Sequence, residues 1–155
     1  MDPLAAVPPV SLRDLEGSWH SLPASWAGGP ALFCIGHSDC QTSRLALPYF
    51  DRLHRRRTRP IPVVAILQDD PAVARELAAE LGLGLPVLLE QEPYPVALAL
   101  GLTTVPTLLL VDTRGRVTEL SEGFRRSDLE SLADRLGVAP PLFAPEDTAP
   151  PLRPG

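Results

Sequence analysis

The segment GHSDCQTSRLALP, residues 36–48, holds the residue types best suited to chemistry. Cys40 stands between a short apolar run, PALFCIG (30–36), and a stretch whose Leu45, Tyr49 and Leu53 share one helical face. A cysteine at the start of a helix meets free backbone N–H groups and a partial positive charge, and both stabilise a thiolate. The chemistry in view is nucleophilic attack by sulfur. Ser43 follows three residues later and brings a hydroxyl to the same turn. Asp39 opposes a sulfur anion, whereas Arg44, one helical turn beyond Cys40, favours it. His37 reads first as a solvated loop residue; its sharper role is to steady the thiolate or carry its proton. His37, Asp39 and Cys40 make a poor metal site, because no fourth ligand stands nearby, so no metal is expected. Cys34 reads as an ordinary buried strand residue, with a second reading as a thiol that resolves an intermediate on Cys40. The bland reading of Cys40 itself is a small buried hydrophobe, and a polar loop is an unusual place for one.

The elements that would position Cys40 follow from pattern. PVSLRDLEGSWHSLPASW (9–26) turns at Glu16-Gly17-Ser18 between two short segments and predicts a hairpin. Apolar runs at 30–36, 60–68, 86–90 and 106–112 predict buried strands. Helices are predicted after Cys40, with Pro48 as a kink; from Asp70 and Pro71 to Gly82; over 95–102; and after Ser127, with Glu130 completing a capping box. RVTELSEG (116–123) adds an antiparallel strand. Alternation of strands and helices calls for a mostly parallel sheet covered on both faces, and the last hairpin adds an antiparallel edge, so the expected fold is α/β with a central mixed sheet. Residues 1–8 predict an extended lead-in. Residues 1–138 form the expected domain, and the proline-rich 139–155 predict a loosely ordered tail.

ALFCIGHSDCQTSRLALPYFDRL and VPTLLLVDTRGRV together resemble the thioredoxin-like superfamily, in its redoxin or TlpA-like branch, over residues 9–137. In that family a Cys-x-x-Cys opens a helix carrying a proline five residues after the second cysteine. Pro48 stands five residues after Ser43, so the resemblance makes Cys40 the attacking cysteine and Ser43 the replacement of its partner. It implies that Val105–Pro106 is a cis peptide bond, and that Thr104, Val105 and Pro106 form the segment that pairs with substrate. The hairpin and the insertion holding PVLLE are TlpA-like. The family's aromatic residue before the first cysteine is Asp39 here. The function implied is thiol–disulfide exchange by a single cysteine, with Ser43 hydrogen-bonded to its sulfur. Its partners are a disulfide-bearing protein or a low-molecular-weight thiol, an external reductant closes the cycle, and no cofactor is needed.

Other readings stay open. A peroxiredoxin-type peroxidase has Pro and Thr or Ser where this chain has Phe33 and His37. Cys40-Gln41-Thr42-Ser43 with Thr104-Val105-Pro106 echoes the monothiol glutaredoxins, which lack the hairpin and the insertion and carry a basic residue ahead of the cysteine. A thioredoxin fold kept only for binding is the reading from another class. The net charge of −5 excludes general nucleic-acid binding, and HRRRTR (54–59) suits the C-terminal end of a helix. Every basic residue is arginine, so chemistry that needs lysine is excluded. No apolar run reaches the ~20 residues of a membrane span. The N-terminal residues lack a basic and then apolar signal pattern, so a cytoplasmic protein is expected; a mature domain with its leader removed fits as well.

Overall fold

A computed structural model describes residues 5–155. The predicted lead-in over 1–8 therefore falls partly outside the described residues. Its remainder bridges Ala6 to Arg116, and Val7 is buried.

A hairpin of β1 (Ser11–Asp14) and β2 (Trp19–Ser21) opens the fold. The chain then makes a short helix that the pattern does not predict, α1 (Leu22–Trp26). Its Pro23 sits at the start, where a missing N–H costs nothing. β3 (Ala31–Gly36), α2 (Gln41–Arg56), β4 (Val63–Leu67), α3 (Pro71–Leu81), β5 (Val87–Leu89) and α4 (Pro95–Leu100) follow. β6 (Thr107–Val111), β7 (Val117–Glu122), β8 (Phe124–Arg125), α5 (Arg126–Arg135) and β9 (Leu152–Arg153) complete it.

Seven strands form one sheet in the order β2-β1-β5-β4-β3-β6-β7. Its two inner faces alternate along each strand, as the pleat requires. Leu32, Cys34, Val63 and Ala65 pack under α2, α3 and α5, whereas Phe33, Ile35, Val64 and Ile66 pack under α1 and α4. The sheet is mixed, as expected: β3–β4 and β4–β5 run parallel, and on the β7 side antiparallel pairing begins at β6, which enters against β3, rather than only at the edge. β5 ends at the same end of the sheet as β3 and β4, and α4 lies between it and β6. The chain therefore crosses sideways and enters β6 at the end of the sheet where β3 finishes. That entry brings the segment before β6 beside the loop that follows β3.

Two predicted features need correction. α5 begins at Arg126, with Arg125 as N-cap and no side-chain cap, so Ser127 caps nothing and the predicted capping box does not form. β8 runs straight into the helix, and the first free amide, Arg126 N–H, donates to Pro151 O at 3.0 Å. The partner is thus the C-terminal segment, which is not loose. Leu142, Phe143 and Ala149 are buried in the α2–α5 core. Phe143 packs on Tyr49 with ring centroids 4.8 Å apart, and Arg126 lies 4.3 Å above the Phe143 ring. Arg52 donates to Asp147 at 2.7 Å and to Leu142 O at 2.9 Å. This ion pair and the Ala144 N–H hold the Asp147 carboxyl below its usual value.

Candidate active site

Cys40 is the N-cap of α2, in extended backbone, and it is half-buried. Its position follows from the two elements it joins. β3 ends at Gly36 in the centre of the sheet, and α2 must start above that end to lay its buried face on the core. The loop between them, 37–40, is pinned from below by Asp69. Asp69 is buried just beyond β4 and accepts Ser38 Oγ at 2.5 Å and Ser38 N–H at 3.1 Å. Gln91 in turn donates to Asp69 O. Sequence reasoning passed over Ser38 and Asp69; the signal for Asp69 was an acidic residue directly after a buried strand.

The β3–β6 register pairs Ile35 with Thr107, which sets Pro106 across from Gly36. The Val105–Pro106 peptide is cis. The Cys40 S–H donates to Val105 O at 3.3 Å, across 65 residues of chain. A second contact comes from inside the helix: Ser43 N–H donates to Cys40 Sγ at 3.4 Å. Cys40, Ser43 and Val105–Pro106 are therefore assembled at one end of the sheet. Thr104 is half-buried beside them, and its carbonyl accepts the Thr107 hydroxyl.

The remaining candidates take other roles. The Ser43 hydroxyl does not bond the sulfur; it is buried and accepts His37 N–H at 3.2 Å. A Cβ on Gly36 would stand 3.3 Å from that hydroxyl oxygen, so a side chain at 36 would crowd Ser43. The N–H that reaches Cys40 belongs to the Ser43 backbone, because a cap sulfur accepts from the free amides of the first turn. The His37 ring faces away from the sulfur in its contacts. Nδ1 accepts the Asp39 N–H at 3.1 Å, and Nε2 stands 3.8 Å from Asp69. Arg44 is likewise engaged, donating to Ser38 O at 2.7 Å and to Glu80 at 3.0 Å. It secures the loop rather than reaching for the sulfur. The Asp39 side chain is 91 % exposed, so water screens its charge from Cys40.

Cys34 is wholly buried on β3, beneath α2. Desolvation pushes its thiol up to about 12. Both cysteines are free. A thiol in that state attacks disulfides slowly, which counts against Cys34 as a resolving group despite its place beneath α2. Among the described residues, no group of three His, Cys, Asp or Glu side chains is placed to hold a metal ion, and no helix is long and apolar enough to cross a membrane.

No protein-family model matches the chain, and no curated protein matches it in sequence. Solved structures do match its fold. The thioredoxin domain of a thiol-disulfide oxidoreductase from Bacteroides vulgatus superposes with a TM-score of 0.75 at 17% identity, covering 87% of this chain and 97% of that one. A thiol:disulfide interchange protein from Bacteroides sp. gives 0.74 at 17% identity, over 90% and 93%. A secreted disulfide oxidoreductase of Mycobacterium tuberculosis gives 0.67 at 13% identity, over 83% and 95%. The chain thus has the thioredoxin-like fold, as the motifs around Cys40 and Pro106 imply.

Proposed function

We propose that this thioredoxin-like chain is a thiol–disulfide oxidoreductase that works through one nucleophilic cysteine, Cys40. The observation that carries the reading is the position of its sulfur, at the N-cap of α2 and against the carbonyl of the residue before Pro106. The thiol–disulfide oxidoreductases that share the fold add weight to it. A Ser43 N–H directed at the sulfur suits a sulfur anion.

In the exchange, Cys40 loses its proton and attacks one sulfur of a substrate disulfide. The substrate S–S bond breaks, a Cys40–substrate disulfide forms, and the departing sulfur leaves as a thiolate that takes up a proton. Ser43 offers no sulfur and Cys34 is buried, so a second thiol must come from outside. An external thiol, small or on a partner protein, attacks the substrate sulfur, restores the Cys40 thiolate and carries the substrate away as a new disulfide. Val105 would lend its backbone to an extended substrate, with Thr104 and Pro106 shaping the groove. The cytoplasmic placement expected from sequence draws no support from the fold relatives, one of which is described as secreted.

The test is reduction of a disulfide-bonded protein such as insulin, with and without glutathione, alongside Cys40→Ser. The expected result is glutathione-dependent turnover, lost in the variant. Mass spectrometry of the trapped intermediate should find Cys40 linked and Cys34 free. A Cys40 that forms no mixed disulfide would sink the reading in favour of a binding module.

A further inference from the structure

The groove beside Cys40 is already filled by the chain itself. After the buried Ala149, residues 151–155 run out of the core and along the site. Pro151 O accepts the first amide of α5, and Leu152–Arg153 pair antiparallel with Phe124–Arg125. Pro154 O then accepts the Thr42 hydroxyl at 2.7 Å, and Thr42 is two residues past Cys40. The segment ends its described course against Val105. A Cβ added to Gly155 would overlap the Val105 carbonyl oxygen, the same atom to which Cys40 donates. On the far side, a Cβ on Gly123 would come within 2.7 Å of Arg153 O. Backbone thus passes close to backbone on both flanks, as in strand addition.

We propose that residues 152–155 are a strap that occupies the peptide groove, and that an extended substrate must displace it to bring a disulfide to Cys40. The proposal rests on reading Cys40 as the nucleophile. Two features make the strap a gate rather than a fixed wall. All four residues are exposed, and what holds them is a two-residue ladder and one side-chain hydrogen bond. A ladder so short is marginal by itself, and exposed segments with few buried contacts open locally at little cost. The anchor behind it is of another kind, with Leu142 and Phe143 buried and Arg52 bound to Asp147. Lifting the strap therefore leaves the core intact. The substrate class follows from what the strap imitates. It is an extended peptide whose backbone replaces β9 against Phe124–Arg125, a form of strand addition.

The test compares the reduced full chain with Thr42→Val and with a variant lacking residues 152–155. The probes are a disulfide-bonded peptide and glutathione disulfide, and the readout is the rate of mixed-disulfide formation at Cys40. The truncated variant should react with the peptide about tenfold faster, as expected where the open state is roughly a tenth of the population, and Thr42→Val, which loses one hydrogen bond, about three- to fourfold faster. A synthetic Pro-Leu-Arg-Pro-Gly peptide should slow the truncated variant again. Thr42→Val keeps the whole backbone, so it carries the test if the truncated chain fails to fold. Equal peptide rates in all three proteins would overturn the strap. If Cys40 reacts with neither probe in any of them, the reading of Cys40 as nucleophile falls first, and the strap falls with it.

Discussion

Ser43 stands at the decisive position of the site and yet keeps its hydroxyl away from the sulfur. Its oxygen takes the His37 amide, and its own amide serves Cys40. Residue type and spacing identify Ser43 as the neighbour of Cys40, but not which of its atoms does the work. The same limit applies to Arg44 and His37. Their charge and position in the chain are legible, whereas Glu80, which Arg44 bonds, and Asp69, which stands 3.8 Å from His37, arrive from elsewhere in the fold. Placement of Ser43 does make one outcome firm. Two residues three apart at a helix start lie about 5–6 Å apart at Cα, inside the range a disulfide needs. Ser43→Cys should therefore close onto Cys40 under mild oxidant and remove two free thiols per chain. Thiol titration before and after oxidation checks this; an unchanged count would refute it.

At the scale of elements, caps and apolar runs identified β3, α2, β4, α3, β5, α4, β6 and β7 to within a few residues. α1 escaped because five residues are too few to show a helical period. The direction of β6 escaped because periodicity tells that a strand exists and nothing about which way it runs. The C-terminal segment escaped for a compositional reason. Its prolines suggest disorder, and the signal against that was one apolar pair, Leu142-Phe143, which the core needs. Phe143→Ala should cost about 3–5 kcal/mol in denaturant unfolding, the usual range for a buried aromatic. The Asp147 anchor adds an acid limb to that stability. Its folded value lies below the unfolded one, so its contribution is complete above about pH 4 and is lost as pH falls through the folded value. Asp147→Asn should flatten this limb, as thermal melts from pH 6 down to 2 would reveal.

Across the described residues, the central strands β3 and β4 are buried along their whole length, whereas β9, which runs beside Cys40, is exposed and pairs over two residues only. Stability should grade accordingly. Native-state hydrogen exchange should find amides of β3 and β4 opening only with global unfolding, whereas those of Leu152 and Arg153 exchange orders of magnitude sooner. Co-exchange of β9 with the central strands would mean that the segment belongs to the core's cooperative unit.

The Thr42–Pro154 contact joins residues 112 positions apart, and the Cys40–Val105 contact joins residues 65 apart. During synthesis the thiol is made long before either cover. At translation rates of roughly 5–20 residues per second, the Pro154 codon is read about 6–20 s after that of Thr42. A nascent chain passes through that interval with a bare, unguarded cysteine. Oxidants and stray disulfides meet it then on equal terms with any other unfolded thiol. If the strap guards the site, selectivity is acquired when residues 152–155 are laid across it, so a chain not yet extended through them is more open to unwanted thiol chemistry.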